Sequence, residues 1–129
     1  MIQNDKTAFD ELPWHDSTLL SVEIDRARPG ERDEVVIRVE WPDESRQLVR
    51  FRECYAATME LNFGVAAPES ILEANSSTEG AELLAVREKW APLGVDLSGL
   101  MCFEVITNST ASRMRVYALG FEVEADRAS

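Results

Sequence analysis

Two cysteines and one histidine are all the thiol and imidazole side chains this sequence has. Cys54 and Cys102 form no CxxC pair, and one histidine cannot complete a zinc set with them. They read as two free thiols in a reducing compartment rather than a disulfide framework. Glycine is sparse and scattered, so neither a GxGxxG turn nor a phosphate-binding loop can be assembled. No apolar run approaches the roughly 20 residues of a membrane helix. The opening Met1-Ile2-Gln3-Asn4-Asp5-Lys6 lacks the basic and apolar regions of a secretion signal, so a cytoplasmic protein is expected. No cofactor motif is visible and none is expected.

Basic residues are also scarce, with 13 against 24 acids and a net charge of −11. Residues 1–25 hold six acids and one base, and residues 53–104 hold nine acids and two bases. Residues 26–52 carry seven of the bases. A field of this sign repels nucleic acid and anionic lipid and favours a basic protein partner. Its plainer role is solubility.

What is present is a core-forming composition, 45% hydrophobic over 129 residues, which suits a single α+β domain spanning 1–129. From Thr18 the pattern has period two, with Leu20, Val22 and Ile24 on one face, which predicts a strand over 17–27. Arg28-Pro29-Gly30-Glu31 is a turn, and Glu34–Trp41 returns as the second strand of a hairpin. Further strands are predicted at 47–52 and 58–63, with Arg50 or Arg52 paired to Glu60 across them. Pro68 followed by acids suggests a short helix over 68–74. The main helix is predicted at 79–91, N-capped by Thr78, with Leu83 and Trp90 turned to the sheet. A second hairpin runs through 101–106 and 114–124. Its inward parity changes between Val116 and Phe121, which calls for a bulge near residues 118–120. The fold class is therefore α+β, a mostly antiparallel sheet of about six strands with one main helix packed on one face.

The most chemical-looking group is Trp14-His15-Asp16, where a carboxylate beside an imidazole could orient a general base in a pocket. Adjacent side chains on an extended chain point apart, and the plainer reading is a turn that ends on the sheet. Cys54, at a strand end, is the more accessible thiol, whereas Cys102 sits mid-strand. The row Arg38, Arg46, Arg50 and Arg52 could bind an anion, or be offset by glutamates. No carboxylate spacing fits a metal loop, and no metal site is expected.

The stretch Trp14-His15-Asp16-Ser17, followed by the strand Leu19–Asp25, resembles the start of small uncharacterised bacterial proteins. Some of these are grouped with the immunity proteins of polymorphic toxin systems. The resemblance covers about a dozen residues. It implies a binding protein without enzyme activity and transfers no catalytic residue.

Two functions follow. The first is a non-enzymatic acidic binding protein, with toxin neutralisation as its specific form and Glu69, Glu73, Glu79 and Glu82 as partner-binding candidates. The second is a small-molecule-binding domain or minor enzyme with its pocket at Trp14, His15 and Asp16. A homodimer formed by pairing sheet edges is a third arrangement.

Overall fold

The computed structural model describes residues 3–126, so Met1, Ile2 and residues 127–129 lie outside the described residues. Six antiparallel strands form one sheet: β1 (Thr18–Asp25), β2 (Glu34–Glu40), β3 (Arg46–Glu60), β4 (Ile71–Ser77), β5 (Met101–Thr107) and β6 (Arg113–Ala125). Their order is β1-β2-β3-β6-β5-β4. Helix α1 (Lys6–Asp10) precedes β1, and helix α2 (Ala81–Trp90) joins β4 to β5.

Six strands is the expected number, but two of them are drawn differently. The segments 47–52 and 58–63 belong to one 15-residue strand that stops at Glu60. Nothing in Glu53-Cys54-Tyr55-Ala56-Ala57 is a turn former, so the chain kinks instead of reversing. Glu53 takes a positive φ of 54°, and the pairing with β6 slips by one residue between Cys54 and Ala56. The bulge expected in β6 near 118–120 thus lies across from Ala118 and Tyr117, in β3. Because β3 does not fold back, Glu60 pairs with Arg113 and not with Arg50 or Arg52.

The short helix expected over 68–74 is the start of β4. Ser70 bridges Thr18, Ile71 is buried, and from Ile71 onward the chain pairs with β5 with one slip between Ile71 and Glu73. Those long-range bonds override a local helix-start signal, in a segment whose asparagine and serines are weak helix formers. The α2 cap also moves. Gly80 occupies the N-cap without a side-chain bond, while Ser77 folds its hydroxyl onto Glu79. Gly94 ends the following 3-10 turn at φ 78°, the left-handed geometry glycine adopts without strain.

Alternate residues of β2, β5 and much of β3 and β6 face two apolar clusters, whereas β1 contributes only Leu19 and Val22, its predicted inward residues Leu20 and Ile24 being exposed. Val35, Ile37, Val49, Phe51, Phe103, Val116 and Phe121 surround Phe9 of α1 and Trp14. The second cluster gathers Leu83 of α2 with Leu97, Leu100 and Tyr117. Arg87 fastens the chain after α2, its guanidinium donating to the carbonyls of Leu97 at 2.9 Å and Leu100 at 3.0 Å.

The first and last strands of the order meet at one end. Ile71 N donates to Ser17 O at 2.7 Å, and Leu19 N to Glu69 O at 2.8 Å. The sheet therefore curls around Phe9 and Trp14, and its outer edges separate beyond this junction.

Candidate functional site

The opening stretch forms a tight turn. Ser17 N donates to Trp14 O at 3.0 Å, and Ser17 Oγ donates to the same oxygen at 2.6 Å. The Ser17 hydroxyl is buried in that bond and is not poised beside His15. Trp14 is buried too, with its indole N–H donating to Phe9 O at 2.8 Å and its ring 5.0 Å from Phe9. It is a core residue.

His15 and Asp16 point outward, with side chains 73% and 75% exposed. His15 Nδ1 donates to Leu72 O at 2.9 Å, which leaves Nε2 facing Asp16 Oδ2 at 3.6 Å. Adjacent side chains on a strand would diverge. These two approach because Asp16 has a positive φ of 66° and is not on a strand. In open water such a pair is screened and gives little orientation to a base.

The same contacts lay the opening stretch along β4. Asp16 N donates to Ile71 O at 3.1 Å, His15 meets Leu72, and the Asp10 carboxylate accepts from Ser76 N at 2.7 Å and Ser76 Oγ at 2.9 Å. Exposed Glu11 and Asp16 are thereby brought beside exposed Glu73 on one edge of the sheet. The edge of β4 is covered by this stretch, whereas β1 beyond Thr18 has a partner strand on one side only. Edge-to-edge pairing of two copies would fall to β1.

The four glutamates singled out from the sequence do not form one cluster. The seven residues of β4, at about 3.3 Å each, separate Glu69 from Glu79 by roughly 20 Å of strand. The Glu69 carboxylate is taken by the backbone N–H and hydroxyl of Thr110. Glu82 stands 3.8 Å from Arg115. Glu73 and Glu79 are exposed and make no ion pair among the described residues.

The arginine row is internally neutralised. Arg50 reaches Glu34 at 3.0 Å and Glu124 at 2.6 Å, Arg52 reaches Glu34 at 2.7 Å and also pairs with Glu122, and Arg46 meets Glu40 at 2.9 Å. Arg38 sits 3.0 Å from Asp126. The loop Asn108–Ser112 is likewise bound internally, with Ser109 Oγ donating to Pro68 O and Asn62 Nδ2 to Thr110 O. Among the described residues no group of three or more His, Cys, Asp or Glu side chains is arranged to hold a metal ion. None of their helices is long and apolar enough to cross a membrane.

Burial pushes the Cys54 thiol up to about 12, helped by the negative charges of Asp33 and Glu34. Burial raises the Cys102 thiol as well. Neither resembles an activated nucleophile. Cys54 lies in a cleft of about 530 Å³ at the far end of β1, lined also by Tyr55 and Trp90 and not by His15 or Asp16. Sequence reasoning missed it because its walls come from four separated segments.

No protein-family model matches the chain, and no curated protein is significantly similar to it.

Proposed function

We propose that this protein is a non-enzymatic binding module whose acidic β4 edge associates with a basic protein partner, with neutralisation of a basic toxin as the specific form. The observation that carries this reading is the pairing of the opening stretch with β4. It sets Glu11, Asp16 and Glu73 on one edge, where Lys6 is already paired with Asp10. Elsewhere Arg46, Arg50, Arg52, Arg113 and Arg115 are paired with glutamates of their own sheet or of α2, so much of the basic charge is neutralised while the net charge stays at −11. Long-range attraction of this kind speeds encounter and falls with salt. The candidate set shifts accordingly, with Glu73 and Glu79 retained from the four glutamates and Glu11 and Asp16 added.

The test is capture of a basic protein from host lysate by the immobilised chain, run beside a Glu11→Lys/Asp16→Lys/Glu73→Lys variant. A basic protein held by the wild type at low salt, and released by salt or by the variant, supports the reading. Equal retention by both chains removes it. All three positions are exposed, so the variant is expected to keep its fold.

A further inference from the structure

We infer that the cleft between the β1–β2 hairpin, the kink of β3 and Trp90 is a binding site for a small organic cation with an apolar body. At about 530 Å³ it falls within the range of small-molecule sites.

Three features of the chain build it. Glu53 at φ 54° and the slipped pairing between Cys54 and Ala56 kink β3, and Tyr55 and Cys54 both line the cleft. Cys54 N donates to Asp33 O at 2.9 Å, which ties the base of the hairpin to that kink. Gly30 N donates to both Asp33 carboxylate oxygens at 3.1 Å, which fixes the acid at the rim. Gly30 is at φ 85°, a conformation that lets the turn close over Asp33.

The lining defines the ligand. Tyr55 and Trp90 meet edge to face, 5.2 Å apart at 77°, which is a packing that leaves π surface for a cation. Val35 and Met59 add apolar wall, and Ile24 stays 44% exposed at the open side. The charged groups are Asp25, Asp33 and Glu34 against Arg26. Glu34 is held by Arg50 and Arg52, so Asp25 and Asp33 set the sign at the mouth. Two exposed carboxylates against one guanidinium disfavour an anion there, and a cation is attracted both by them and by the ring faces. The site lies at the opposite end of β1 from the Thr18 junction, so it is distinct from the acidic β4 edge.

The experiment is a titration of the labelled protein with benzyltrimethylammonium, followed by the three indole N–H signals in proton–nitrogen NMR. Trp14 and Trp41 serve as internal references, because their indoles are bonded to Phe9 O and Gln47 Oε1 in the buried core. The expected result is a saturable shift of the Trp90 signal alone, with a dissociation constant of about 1 mM or tighter. Tyr55→Leu should abolish the shift, and Asp33→Asn, which preserves the turn, should weaken binding at least about threefold. Equal response to benzyl alcohol or to benzenesulfonate would overturn the assignment. So would the absence of any Trp90 shift, or an equal shift of all three signals.

Discussion

Removing one ring should test how the curled sheet is sealed. Phe9 belongs to a helix of five residues, far too short to hold itself together in water. It is completely buried, with ring centres at 5.0 Å from Trp14, 4.9 Å from Phe103, 5.2 Å from Phe121 and 6.0 Å from Phe51. A Phe→Ala change in a core costs about 3–5 kcal/mol through lost transfer energy and the cavity left behind. Four surrounding rings, three of them rooted in strands, leave little room to collapse, so Phe9→Ala belongs at the upper half, about 4 kcal/mol. For a chain of 129 residues, an unfolding entropy near 2.1 cal/mol/K per residue turns that into a Tm lower by roughly 15 °C. Urea unfolding followed by circular dichroism and tryptophan fluorescence gives the value directly. Leu93→Ala, at an exposed leucine in the 3-10 turn, is the control and should stay within about 0.5 kcal/mol. A Phe9→Ala cost below about 1 kcal/mol would refute the seal, because α1 would then be a peripheral attachment.

Further outcomes follow from the half-buried thiol, the ion pairs and the α2 terminus. With the Cys54 thiol pushed up to about 12, the thiolate fraction at pH 8 is about one in ten thousand, so a disulfide reagent should label the folded protein slowly and the urea-unfolded protein fast. Rapid labelling of Cys54 in the native state would contradict the suppressed thiolate. Burial raises the Glu122 carboxyl, but favourable interactions, the hydrogen bond and ion pair with Arg52 among them, hold it below the usual glutamate range. A depressed carboxyl contributes stability that is complete above the unfolded value near 4.3 and is lost as pH falls through the folded value. Urea midpoints of the wild type and Glu122→Gln should therefore draw together as pH falls from about 5, and a gap that stays constant across the acid range would count against the pair. Gly94→Ala should cost about 1 kcal/mol, because residue 94 sits at φ 78° with open space around it and the penalty is backbone strain alone. A neutral substitution would show that the helix end relaxes.

The hairpin of β1 and β2 was legible because a Pro-Gly turn separates two strand-forming runs, but the inward face of β1 was not: the pairing slips between Leu19 and Ser21, so Leu19 and Val22 meet the core while Leu20 and Ile24 are exposed. The second hairpin was legible because its alternation is local, and the parity change between Val116 and Phe121 did require a slip between strands. Its position was not legible, since the extra residue belongs to the partner strand and its cause is the backbone of Glu53. The 68–74 segment was misread because Pro68 and two nearby acids imitate a helix start. What makes it a strand is pairing with β5 and with residues 10–16, neither of which leaves a local mark. The site followed the same division. The turn at Trp14–Ser17 was visible as chemistry-rich residues beside a proline. Nothing in sequence spacing placed Asp16 against Ile71, or Asp10 against Ser76. The spread of Glu69 before β4, Glu73 within it, Glu79 after it and Glu82 in α2 is a consequence of that strand. A helix would have brought Glu69 and Glu73 onto one face.

The most direct test of the acidic edge is kinetic. The association rate of the captured basic protein should be measured for the wild type and for Glu11→Lys/Asp16→Lys/Glu73→Lys across a range of salt. The expected result is a rate that falls with salt for the wild type, drops about tenfold in the variant at low salt, and converges at high salt. Association that is equally fast for both chains and indifferent to salt would contradict an acidic edge as the binding surface.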